Sequence, residues 1–287
     1  MADSIALNRL FTRIGEVSTL PSSALRIIAV ANDENSSADD LLHLVSSDPA
    51  LATRLLRTVN SARYALKQRV GDLRSAISLL GFREVRNLAV TVHVSDMFRG
   101  GSPYRHYDRQ GLWNHMVCVG TLSRMIAHTS GYSRTVEEEA YLAGLLHDVG
   151  YVLIDQCLHS HFRQVLDELG DSTTPTPKIE QRILSFDHAQ LAGFLAGKWN
   201  FPERIRAAIA HHHDPASYEG EHRELVYCVA IANYLATHRG VTALGVRNVP
   251  PPNEAVLAGS RLSRSHIESI WQTLDETVEA SRMMAAV

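Results

Sequence analysis

Histidines at positions 115, 147, 188, 212 and 213, an aspartate at 148 beside His147, and an amide at Asn233 all fall in stretches that are otherwise apolar or small. Residues three, four and seven apart share one face of a helix. By that spacing His115 aligns with Leu112, Val119 and Leu122, and His147 with Ala140, Ala143 and Gly144. His188 aligns with Leu191, Ala192 and Leu195, His212 with Ile205, Ala208 and Ile209, and Asn233 with Val226, Val229 and Ala230. Each segment therefore turns a polar side chain toward the interior. A buried polar group without a partner costs roughly 1–3 kcal/mol, so the favourable arrangement brings these groups onto one another or onto a cation. Imidazole and carboxylate together suit a divalent transition metal, zinc, iron, manganese or nickel, better than calcium. Taken singly, each position has the alternative of an ordinary hydrogen-bonded core residue.

The metal-capable set expected from this reading is His115, His147, Asp148, His188, His212, His213 and Asn233. Asp148 is the best candidate for a catalytic group. In the run His211-His212-His213-Asp214, helical geometry turns His212 inward, leaves His213 at the edge of that face and points His211 outward with Arg204. His159 and His161 lack an apolar face and are expected on the solvated surface. The stripe Ala140, Ala143, Gly144 is small enough for another helix to approach closely.

The elements that must position these groups are helical. Apolar residues recur at helical spacing along the chain, and strict alternation of the kind that marks a strand is absent, so the fold class expected is all-α, with two lobes. Ser47-Asp48-Pro49 starts a helix that ends near Asn60, and Asp72 starts another that stops at Gly81. Thr135 with Glu138 reads as a capping box for the helix that carries the His147-Asp148 pair. Residues 170–178 read as a surface loop, Asp187 as a helix cap, and Pro202 as the start of the helix leading to the histidine run. The stretch 99–111, rich in glycine and tyrosine, breaks the pattern, which divides the chain into an N-terminal helical lobe (1–104), a second lobe with the candidate pocket (105–240) and a helical extension (241–287). On the final helix Ile267, Ile270 and Leu274 are expected to pack onto the body, with a dimer contact as the other use.

Composition excludes several classes. The chain has 287 residues, 45% of them hydrophobic and 21% charged. Such a length and balance suit a globular fold with a sizeable core. A net charge of −3 gives no clustered basic surface for nucleic acid. Cys118, Cys157 and Cys228 are far apart, so neither a disulfide framework nor a paired-cysteine zinc site is indicated, and the expected compartment is the reducing cytoplasm. Neither an export signal nor an apolar run long enough to cross a membrane is seen.

The order His115, His147-Asp148, His188, His212-His213 resembles the HD superfamily of metal-dependent phosphohydrolases. The segments at 20–28, 44–64 and 76–90, with "LWNHMVCVG" and "AIAHHHDP", narrow the resemblance to the HDOD family over about residues 13–240. The resemblance implies an HDOD-like helical lobe packed on an HD-like one. Its implied function is a regulatory module of bacterial signal transduction with a signalling protein as partner; the helix over 83–98 and the interlobe linker are the expected contact region. The alternative it implies is a metal-dependent phosphohydrolase acting on a nucleotide, a cyclic dinucleotide or another phosphorylated ligand. Departures from the active pattern favour a degenerate metal pocket. Asn233 stands where a closing aspartate is expected, Tyr151 where a lysine follows the His-Asp pair in the related HD-GYP family, and Gly111 where a glutamate precedes the first histidine. What remains is enough for one metal on His115, His147, Asp148 and His212, with His188 as an additional ligand.

Overall fold

Short polar caps start eight of the described helices, since a side-chain oxygen can accept from an amide that the helix itself leaves unbonded. Asp48 Oδ1 accepts the Leu51 amide at 3.0 Å, Asp72 Oδ1 that of Ser75 at 2.8 Å, and Asp108 Oδ1 that of Gly111 at 2.7 Å. Asp187 and Gln190 form a reciprocal capping box. The structure, a computed structural model, describes residues 2–17, 20–33, 35–60, 69–170 and 172–285, so the tail of the 44–64 segment lies outside the described residues. Among the described residues every regular element is an α-helix, apart from one isolated bridge between Tyr104 and Tyr107.

The N-terminal part holds α1 (Ala2–Val17), α2 (Ser22–Asn32), α3 (Ala38–Ser46), α4 (Pro49–Val59), α5 (Leu73–Leu80) and α6 (Phe82–Asp96). After the 97–108 connection come α7 (Arg109–Thr129), α8 (Arg134–Leu146), α9 (Val149–Cys157), α10 (His159–Leu169), α11 (Thr176–Leu184), α12 (His188–Lys198), α13 (Glu203–His211) and α14 (Arg223–His238). A non-helical strap, 241–253, then leads to α15 (Glu254–Gly259), α16 (Arg264–Gln272) and α17 (Leu274–Ala285). Gly81 ends α5 with a φ of 83°. That is the positive-φ region a helix-ending glycine enters without a Cβ penalty.

Buried apolar residues form two clusters. The smaller one joins α2 to α6 through Ile27, Leu41, Leu55, Ile77 and Leu88. The larger is built on α7, α8, α9, α12, α13 and α14, and also takes in Phe11 and Ile14 of α1 and Leu274 and Val278 of α17. Ile270 and Leu274 are buried, so the last helices do pack onto the body.

Two expectations are corrected. Helix α8 starts at Ser133, whose hydroxyl accepts from the Val136 amide, ahead of the Thr135 box; Glu138 instead lies buried between the lobes. The helix expected to offer a contact surface, α6, is buried from Glu84 through Val90 and forms the seam between the two clusters. Arg124 of α7 donates from Nη2 to Glu84 at 2.7 Å and to Glu138 at 2.9 Å, while Asn87 Nδ2 donates to the Glu138 carbonyl at 2.9 Å. Glu84 and Asn87 of α6 are thus taken by the chain's own second lobe, while Arg86, Ser95 and Asp96 bond within the N-terminal part.

Candidate metal centre

Close helix crossings bring the site together. An added Cβ at Gly144 would lie 2.8 Å from the Val119 carbonyl oxygen, and one at Gly120 would lie 2.9 Å from that of Tyr141, so α7 and α8 approach at the distance the small-residue stripe predicts. His115 sits in the second turn of α7. The His147-Asp148 pair lies at a break rather than within a helix: His147 ends α8 and Asp148 starts α9. Gly150, two residues on, meets the backbone of His188, the first residue of α12. His212 closes α13, His213 follows it, and Asn233 projects from α14.

All the expected residues converge on Asp148. Its Oδ2 is 3.4 Å from His115 Nε2 and 3.2 Å from His147 Nε2; its Oδ1 is 3.1 Å from His188 Nε2 and 3.5 Å from His212 Nε2. His213 Nε2 is 2.9 Å from His188 Nε2. His115, His147, Asp148, His188, His212 and Asn233 are buried, and His213 is half-buried. The donor atoms fall into two groups that share Asp148, one with His115 and His147, the other with His188, His212 and His213. This differs from the single four-residue set expected, because His212 stands with the second group. Asn233 lines the same small cavity as Asp148, and its Oδ1 accepts from Thr237 Oγ1 at 3.2 Å.

The tautomers follow from the hydrogen bonds. His115 Nδ1 donates to the Val241 carbonyl, His147 Nδ1 to that of Gly144 and His212 Nδ1 to that of Ile209, each at 2.7 Å. A carbonyl only accepts, so these nitrogens carry the proton and a neutral ring turns its Nε2 lone pair inward. The three Nε2 atoms and Asp148 Oδ1 have no hydrogen-bond partner. Lone pairs facing a carboxylate repel unless a cation lies among them, so the residues fit a divalent transition metal. Burial pushes the His147 pKa down to about 4, which keeps it neutral near pH 7. Burial also opposes charge on His188, yet Glu180 and Asp148 on either side lift its pKa to about 10.

Sequence reasoning missed three components. Glu180 of α11 binds His188 Nδ1 at 2.7 Å. The Val241 carbonyl orients His115, and the strap that follows walls the centre through Ala243, Leu244, Val246, Asn248 and Val249. The cavity left beside Asp148 and Asn233 is about 20 Å³, room for about one water molecule. A separate cavity of about 150 Å³ touches His212 and His213 beneath Pro250, Pro251 and Pro252. His159 and His161 are exposed, as expected, although His159 Nδ1 contacts Asp155 at 2.9 Å.

A profile of the HDOD domain matches residues 17–215. Among curated proteins, one of Treponema pallidum is 28% identical over 77% of this chain and 42% of its own length, and YuxH of Bacillus subtilis is 23% identical over 54% and 35%. The chain thus spans less than half the length of these relatives. Among solved structures, an HDOD domain protein of Geobacter sulfurreducens superposes with a TM-score of 0.78 at 25% identity, covering 96% of this chain and 98% of that one. A candidate signal transduction protein of Marinobacter aquaeolei VT8 gives 0.76 at 30% identity, covering 94% and 59%. A candidate phosphohydrolase of Shewanella amazonensis shares the fold at 20% identity, with a TM-score of 0.67 over 96% and 93%. With the profile spanning more than half the chain, the chain belongs to the HDOD family.

Proposed function

We propose that this chain is a regulatory HDOD module of bacterial signal transduction that holds a divalent transition metal, zinc, iron, manganese or nickel, in a closed His/Asp centre and acts through a signalling protein partner. The observation that carries the metal reading is the inward set of unpartnered Nε2 atoms around Asp148, each ring oriented by a backbone carbonyl. His115, His147 and Asp148 would form one half of the ligand set, and Asp148, His188, His212 and His213 the other. A divalent ion held there would offset the charge of Asp148 and supply Lewis-acid chemistry. Regulation is favoured over hydrolysis because the cavity at Asp148 has room for about one water and none for a phosphoester.

The second reading, a metal-dependent phosphohydrolase acting on a nucleotide, a cyclic dinucleotide or another phosphorylated ligand, draws on the cavity of about 150 Å³ beside His212 and His213. In that reading Asp148, which touches both donor groups, is the candidate catalytic residue. The deciding measurement is metal per chain by inductively coupled plasma mass spectrometry, on untagged protein purified without chelators. One or more equivalents in the wild type, lost in His147→Ala, is the expected result; wild-type protein that is metal-free and takes up none on addition of zinc or manganese sinks the metal reading. Turnover of a cyclic dinucleotide by the loaded protein near 1 s⁻¹, an ordinary enzymatic rate of about that order, would replace the regulatory reading with the second one.

A further inference from the structure

Four imidazoles face Asp148, and three of them are oriented by neutral backbone carbonyls. His188 is the exception. Glu180, 1% exposed, accepts at its Oε2 from His188 Nδ1 at 2.7 Å and from the His188 backbone amide at 3.0 Å. One carboxylate oxygen therefore fixes both the ring and the first turn of α12. The Tyr151 ring stacks on the same imidazole, with centroids 3.9 Å apart and planes at 21°, so the ring is held from a second direction. With Nδ1 committed, Nε2 is the atom left to face Asp148 Oδ1 at 3.1 Å and His213 Nε2 at 2.9 Å. Holding a carboxylate this deep carries a desolvation cost that packing alone does not require.

A carboxylate behind a metal-binding imidazole locks its tautomer and makes it a stronger donor than a carbonyl does; losing such a partner commonly weakens metal binding about 10- to 100-fold. We infer that Glu180 is a positioning residue that makes His188 the strongest imidazole donor of the centre, and so sets the affinity of the Asp148, His188, His212 and His213 position without touching the ion. The inference rests on the metal reading above. It assigns to α11 a role in the site, and it separates the two donor groups: His115 and His147 lie outside the reach of this carboxylate.

The test is zinc titration against a chromophoric chelator, with wild-type protein, Glu180→Gln and Glu180→Ala. Gln keeps an oxygen for the His188 Nδ1 and backbone protons but removes the charge. The expected result is zinc binding about 10- to 100-fold weaker in Glu180→Gln for one equivalent, with the thermal midpoint of the metal-free protein within a few degrees of wild type. Glu180→Gln that takes up zinc with wild-type affinity overturns the inference while leaving the metal reading intact; wild-type protein that binds no zinc removes the metal reading itself. A measurement on wild-type protein alone guards against a variant that fails to fold. In its ¹⁵N spectrum, zinc should shift His188 Nε2 while the Nδ1 proton stays strongly deshielded; an unmoved Nε2 resonance overturns the inference as well.

Discussion

Single atoms decide the geometry of the centre, and Gly150 shows how little space there is. A methyl group at this position would lie 2.2 Å from the His188 carbonyl oxygen, and backbone cannot swing aside as a long side chain can. Gly150→Ala is expected to destabilise the protein by about 1–3 kcal/mol, typical of overpacking in a tight core, and to lower metal content because α12 must shift away from Asp148. Urea denaturation and metal analysis check both; a variant with wild-type values would mean that α9 and α12 move apart without penalty. The histidines were legible in the sequence because burial leaves a periodic trace, each lying three, four or seven residues from apolar neighbours on its own helix. Glu180 left no such trace: its partner His188 lies across the turn between α11 and α12, and a lone acid on a helix reads as surface. The Val241 carbonyl was invisible for a different reason, since backbone acceptors have no residue type.

At the scale of elements, the helices were legible where caps are strong and less so where the chain bends around function. Asp48, Asp72 and Asp187 cap where the sequence places them, whereas the break between His147 and Asp148 carries no proline or glycine to announce it. The strap was the least legible element, because its wall function depends on what it crosses. Beyond Val241, which the His115 ring and the Ala236 carbonyl hold, it is tied down by few bonds: Asn248 Nδ2 donates to the Thr174 carbonyl at 3.1 Å and to Thr176 Oγ1 at 3.0 Å, and His238 Nε2 contacts the Val249 carbonyl at 3.2 Å. Removing the Asn248 side chain should loosen the strap and leave the helical core intact. Asn248→Ala is therefore expected to cost about 1 kcal/mol of global stability and to speed loss of zinc to excess chelator several-fold. Equal chelation rates for wild type and variant would show that the ion leaves by another route.

On the scale of the whole molecule, the two lobes meet through buried ionic groups as well as through apolar residues such as Phe11, Ile14 and Phe98, and the ionic groups make their docking sensitive to pH. Burial, then the neighbouring Glu84 carboxyl, raises the Glu138 pKa to about 7, even though Arg124 and Arg134 reach its oxygens at 2.9 and 2.7 Å. The folded protein thus holds a proton at this site that the unfolded chain, titrating near 4.5, has already released. Between those values the native state binds more protons than the unfolded state, so the contribution of Glu138 to stability is full below about pH 4.5 and is lost as the pH rises through 7. Glu138→Gln, with a permanently neutral side chain that still accepts from Asn87 and Arg124, cannot show this loss. Denaturation at pH 5 and pH 8 should therefore give a difference in stability between the two pH values that is larger for wild type than for Glu138→Gln. Identical pH dependence in the two proteins would mean that Arg124 and Arg134 keep Glu138 ionised throughout, and that the seam is a fixed salt-bridge network rather than a proton-holding one.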